Sequence, residues 1–380
     1  MVRTTGRHSI CHLALSVSAL ILAGLLPGFL SGCGTDESEL TREPTISSDG
    51  ESVVTVKRSG DQLYVEQDGR RVGQDYELIS STTVTEAGDL VFGAKRGDKW
   101  VVMRGNERVG DEYDYVAGVT VNSAGEVAFI AKTGDKWQVI RDGKPVGSPH
   151  ESVDRPVFCP DGESLVYMVV EDNRTFLVRD GVRQPGEFDW AQTPRFSPDG
   201  ESVVFVVGVD ERRQALMKND TRITPPQEGR IQAWTLAPCG EKAAWVLERD
   251  FIRFLFRDGE KVLGPLERYA GLAGPVFGPD AHTVFFAMAQ EGRGWTIYRN
   301  DQTFADGIEA TDLDDLLVSP DGNSVVCAAR RGGLWYLLKD GQAVSDGFHR
   351  ISNLRNGPDG TTFLFAGVLG STVTEVEIEW

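Results

Sequence analysis

One short pattern recurs nine times along this 380-residue chain, and few folds can accommodate it. The clearest copies are FSPDGESVVF at 196–205, FCPDGESLVY at 158–167 and VSPDGNSVVC at 318–327. Looser copies are ISSDGESVVT (46–55), VTEAGDLVF (84–92), VNSAGEVAF (121–129), LAPCGEKAAW (236–245), FGPDAHTVFF (277–286) and NGPDGTTFLF (356–365). The turn position runs through Gly50, Gly88, Gly125, Gly162, Gly200, Gly240, Ala281, Gly322 and Gly360, in steps of 37 to 41 residues. A fixed period of this length marks one supersecondary unit that buries its apolar face against its own copies.

Each unit reads as strands. Pro presets φ, Asp bonds its own turn and Gly accepts positive φ, so Pro-Asp-Gly ends one strand and starts another. A Val- and Phe-rich run follows, as in Val203 to Val207. A third run recurs as KWVVMRG (99–105), KWQVIRDG (136–143), RFLFRDG (253–259) and LWYLLKDG (334–341), closed by a second turn and a short fourth strand. No segment between the turns carries a helical apolar period. Four short antiparallel strands per repeat predict an all-β chain, a single β-propeller of about nine blades over 45–380. Eight blades remain if one terminal unit lies outside the ring. The ninth unit ends on Val373 to Trp380, with Val376, Ile378 and Trp380 alternating against Glu375, Glu377 and Glu379. Its missing fourth strand is expected from about Glu39 to Arg42, which would cover the open edge.

Large side chains follow the turn at one recurring slot: Phe92, Phe129, Tyr167, Phe205, Trp245, Phe286 and Phe365, with Thr55 and Cys327 as exceptions. Trp100, Trp137, Trp295 and Trp335 mark a second slot on the third run. Both are expected to form the core between blades.

The first residues carry an address. Arg3 and Arg7 precede an apolar stretch from Leu13 to Phe29, and small residues lead to Cys33. This is the layout of a secretory signal. Leu30-Ser31-Gly32-Cys33 resembles the lipobox of bacterial lipoproteins. The resemblance implies a signal peptide over 1–32, lipidation at Cys33 and an acidic tether over 33–44. Gly34, where the family's sorting rule wants Asp for inner-membrane retention, implies an outer membrane facing the periplasm, or the cell surface where there is no outer membrane. The Pro-Asp-Gly units resemble the WD-like repeats of bacterial envelope propellers, the periplasmic propeller of the Tol system among them. That likeness spans nearly all of 45–380 and implies a fold, since one fold carries many functions.

Charge narrows the partners. Lys and Arg number 39 against 57 Asp and Glu, a net charge of −18. Removing residues 1–32 takes away Arg3 and Arg7 and no acid, which brings the net charge to −20. Nucleic acid is therefore not an expected partner. The membrane is reached through lipid, the expected partner is a protein or an envelope component, and a monomer is expected.

Catalytic chemistry is sparse. His150, His282 and His349 lie far apart and no paired Cys or His spacing suits a metal. Cys159, Cys239 and Cys327 are substitutions within the repeat. No Gly-x-Ser-x-Gly elbow occurs. No cofactor, metal or catalytic residue is expected, and the protein is expected not to be an enzyme. The alternatives are a hydrolase or lyase using carboxylates such as Asp114, Asp189 and Glu309, or a small-ligand or metal-binding propeller. The repeated cations Arg104, Arg141, Arg179, Lys218, Arg257, Arg299 and Lys339 are expected to pair with acids of neighbouring blades; a ring-shaped anion site is their alternative role.

Repeats five to seven are longer, and the added length is assigned to loops around 224–234, 264–274 and 306–315. Gln227, Arg230, Glu267, Arg268, Tyr269, Asp312, Asp314 and Asp315 are the candidate partner-binding residues there. The acidic trio is expected to be a solvated loop and not a calcium site. Tyr76, Tyr113, His150, Phe188 and Phe348 are expected at the starts of inner strands, edging a channel mouth.

Overall fold

The computed structural model describes residues 45–46, 52–197, 199–266, 269–290, 294–357, 360–369 and 372–380. Among them nine antiparallel sheets follow one another along the chain, and no helix occurs. The second sheet shows the unit. Its strands Leu78–Val84, Leu90–Arg96, Lys99–Arg104 and Glu107–Tyr113 are hydrogen-bonded in sequence order. The first strands of successive sheets lie side by side, which makes them the inner strands of a β-propeller. The fourth strands form the outer edge.

Apolar clusters lie between sheets. Val54, Ile79 and Phe92 join the first sheet to the second, and Val91, Val116 and Phe129 join the second to the third. The same relation continues from sheet to sheet as far as Val326, Ile351 and Phe363 between the eighth and ninth. Val53 of the first sheet then packs on Ala366 and Val368 of the ninth. The seven aromatics of the recurring slot are all at most 1% exposed. Removing one such ring typically costs roughly 3–5 kcal/mol. Strand alternation explains the slot, because every second residue faces the neighbouring sheet.

The turns are satisfied locally. The Gly200 amide donates to the Ser197 carbonyl at 2.8 Å, and Asp199 accepts from the Glu201 amide at 3.0 Å and from the Ser197 hydroxyl. Those bonds hold the Asp199 carboxyl below its ordinary pKa.

One expectation falls outside the described residues, and another is corrected. The ninth sheet has three strands among the described residues, and the segment expected to complete it, about 39–42, lies outside them. The repeated cations bond mainly to backbone and to their own sheet. Arg141 donates to the Gly162 carbonyl at 3.1 Å and the Glu163 carbonyl at 3.0 Å in the next sheet's turn, while its carboxylate partner, Glu126, is in its own sheet. Lys218 donates to the Gly240 carbonyl at 2.8 Å. Carbonyls of the turn point outward and need donors, and a long third-strand cation reaches them.

Candidate binding face

The up-and-down course of each sheet puts its turns on two faces. The Pro-Asp-Gly turns and the second turns share one face. The hairpins between second and third strands, and the connections from each outer strand to the next inner strand, share the other. All the sequence candidates within the described residues fall on this second face or on the inner strands that rise from it.

The expected loops are short. Only Gly229 separates the strand Gln227–Glu228 from the inner strand Arg230–Leu236. Two residues separate Glu260–Leu266 from Tyr269–Phe277, and three separate Gln302–Ile308 from Asp312–Val318. Arg230, Tyr269 and Asp312 therefore open inner strands, and Asp314 and Asp315 lie within one. Strand residues absorb the added length because unpaired backbone near the axis would lose its hydrogen bonds. Glu267, Arg268 and the lipidation candidate Cys33 lie outside the described residues.

The channel-mouth candidates are corrected in the same way. Tyr76, Tyr113 and His150 end outer strands. Phe188 and Phe348 bridge to Thr175 and Trp335 at the matching place. Tyr76 and Tyr113 are buried. Tyr76, Tyr113, Phe188 and Phe348 pack edge-to-face on Phe92, Phe129, Phe205 and Phe365 of the next sheet, with ring centroids 5.5–5.7 Å apart. An aromatic here seals the outer end of these four inter-sheet cores, which gains more than exposing it at a rim. His150 pairs with Glu171 at 2.7 Å.

Two of the carboxylates named for an enzyme, Asp114 and Asp189, are separately engaged. Asp114 accepts from Lys99 at 2.6 Å and from the Gly134 amide at 2.7 Å, which lowers its pKa. Asp189 pairs with Arg174. Asp114 and Asp189 thus tie hairpins to connections on this face, and the two stand at different sheets. Among the described residues, no three His, Cys, Asp or Glu side chains converge as a metal site.

What the sequence did not reveal is a cleft between the fifth and sixth sheets. It encloses about 590 Å3. Its walls are the hairpin tip Asp210–Arg212, the tip Arg249–Asp250, and Glu228 to Arg230 at the connection between them, with Trp190 and Gln214 also lining it. Gly208 leaves room for Trp190, since a Cβ there would stand 2.2 Å from the indole nitrogen. Gln227 supports the wall from behind by accepting from the Trp245 indole at 2.7 Å, and Gln214 accepts from the Ile231 amide at 2.8 Å. Asp210 is locked by Arg213 at 2.6 Å and by the Arg212 and Arg213 amides, which hold its carboxyl down at about 2. A second cavity of about 270 Å3 opens beside it, lined in part by Arg174, Phe188, Asp189 and Arg222. Of the sequence candidates, Arg230 and Gln227 come together here; Asp312, Asp314 and Asp315 stand on the eighth sheet.

No protein-family profile matches the chain, and no curated protein does. Among solved structures, the crystal structure of the eukaryotic initiation factor is similar at 8% identity and TM-score 0.51, over 82% of this chain and 88% of that one. The Dos1 propeller is similar at 10% identity and TM-score 0.45, over 89% and 93%. TolB from Acinetobacter baumannii is similar at 11% identity and TM-score 0.36, over 70% and 79%. At such identities a likeness bears on the fold alone.

Proposed function

We propose that this protein is a lipid-anchored, non-catalytic binding protein of the cell envelope, a nine-bladed ring that holds a protein or envelope partner on the face carrying the cleft. Nine successive sheets and the contact of Val53 with Ala366 and Val368 support the closed ring. The Leu-Ser-Gly-Cys ending supports the anchor at Cys33.

One observation carries the binding role. Between the fifth and sixth sheets, Arg212, Arg230 and Arg249 stand beside Glu211, Glu228 and Asp250 around an open volume of about 590 Å3. A rigid cleft with both signs of charge suits a charged polypeptide segment, because complementary pairs fix register and reject wrong partners.

The test places a photo-crosslinking residue at Arg230 and, separately, at Glu201 on the opposite face, in intact cells. The expected result is a discrete adduct from position 230, lost on Arg212→Glu, and none from 201. Equal adducts from both faces would sink the assignment. Cys33→Ser should release the protein from membranes, and its retention there would remove the anchor.

A further inference from the structure

Among the described residues, most inner strands share a similar irregularity. The register slips at Ser80/Thr82 in the second sheet, and at Ile231/Ala233, Ala273/Val276, Asp314/Leu317 and Ser352/Arg355 in later ones. In the fourth sheet the strand splits at the same place, into Ser152–Val153 and Val157–Phe158. Such bulges turn a side chain out of the ladder, here toward the axis. Arg155 and Asp315 occupy this position, each seven residues before its turn glycine, Gly162 and Gly322. Ser81 and Gly118 hold it in the second and third sheets, with φ of 25° and 61°.

The axis is therefore lined unequally. Arg155 lies over Gly118, where an added Cβ would stand 2.9 Å from the arginine Cγ. Arg195 stands on the next inner strand, its guanidinium 4.9 Å from the Trp234 ring centroid. Both arginines are exposed to solvent. The carboxylate nearest in sequence, Asp154, is already engaged by the Arg155 amide at 2.7 Å and the Thr193 hydroxyl. Neither arginine forms an ion pair within 4 Å among the described residues, in a chain of net charge −18. Enclosure by strands and the nearness of Arg155 lower the Arg195 pKa, so the two cations repel each other in the free protein.

We propose that Arg155 and Arg195, backed by Trp234, form an anion-binding site in the axial channel for a small ligand bearing several phosphate or carboxylate oxygens. Two guanidinium forks match such oxygens pairwise, and the bound anion relieves the repulsion between the forks. The indole face holds one fork in place. The site is independent of the cleft between the fifth and sixth sheets, and each can fail alone.

The experiment is calorimetric titration of the full chain in detergent with tripolyphosphate and, in a second arm, with tricarballylate. Saturable binding at one site in either arm is expected, and the tighter arm identifies phosphate or carboxylate. The double variant Arg155→Gln/Arg195→Gln should bind at least about tenfold more weakly, as loss of charge-assisted contacts requires. Undiminished binding by that variant, or no binding of either anion to the wild type at about 10 mM, well above a millimolar Kd, overturns the site. Phenylglyoxal labelling of the wild type gives a readout free of any variant. The anion should protect Arg155 and Arg195, and equal labelling with and without it would also overturn the proposal.

Discussion

The Leu165 amide donates to Asp180 Oδ1 at 2.8 Å, and the Asp180 amide donates back to the Leu165 carbonyl at 2.9 Å. This reciprocal pair closes the second turn onto the start of the second strand. It recurs between Val53 and Asp68, Val127 and Asp142, Ala243 and Asp258, and Val325 and Asp340. Asp180 sits at φ 50°, in the left-handed region that Asp and Asn tolerate better than most residues. Asp180→Ala should lower stability by roughly 1–2 kcal/mol, the cost of an orphaned buried amide. Asp180→Asn should be close to neutral, because Asn219 and Asn300 make the same bond at 2.9 Å. Urea denaturation of the two variants checks this, and equal losses would refute the role of the acceptor oxygen.

Close backbone approach gives a second prediction. Gly143 has φ 73°, and a Cβ there would lie 2.9 Å from the Gly110 amide nitrogen and Cα of the preceding sheet's outer strand. Gly60 has φ 60° with nothing within 4 Å of the same atom. Gly60→Ala should cost about 1 kcal/mol from backbone strain alone. Gly143→Ala adds a backbone clash between sheets and should cost roughly 2–4 kcal/mol. Thermal melts that place the two variants together would show that the sheets separate freely at this point.

Asp315 supplies a pH dependence. It is water-exposed on the inner strand, and partial desolvation together with Asp314 raises its pKa from 3.8 to about 6, with Arg350 opposing. A raised folded-state pKa stabilises the fold below the unfolded value and withdraws that stability as pH climbs through the folded one. The contribution is therefore full below about pH 4 and gone above about pH 6. Asp315→Asn, which also tolerates the φ of 53°, should melt with the wild type at pH 4 and above it at pH 7. Solvent screens the charge, so the gain should be at most about 1 kcal/mol. A variant less stable at pH 7 than the wild type would contradict this.

The architecture was legible because its signals are local. Pro-Asp-Gly at a fixed period marks hairpins, and an aromatic such as Phe205 a fixed distance later marks the face turned to the next sheet. What crosses between sheets was not legible. Arg141 bonds to carbonyls of the next turn, and no side-chain pattern announces a carbonyl as a partner. Alternation says which face Tyr76 takes but not where its strand ends, so sequence alone puts it at a channel mouth. Repeat length alone puts Arg230 in an enlarged loop. Only the fold shows that it starts a strand, at a cleft walled by residues 210–212 and 249–250. The inner-strand bulges left no signature, since Ser81, Gly118, Arg155 and Asp315 share a position but no chemistry.

Closure of the ring, supported where Val53 meets Ala366 and Val368, underlies the proposed axial site, and small-angle X-ray scattering from residues 33–380 tests it directly. A closed ring of this length should give a radius of gyration of about 20 Å, the value for a compact chain. Nine sheets stacked in a line about 10 Å apart would extend to roughly 90 Å and give about 26–28 Å with a rod-like scattering regime. The first result is predicted, and the second would contradict the closed propeller and the axial channel with it.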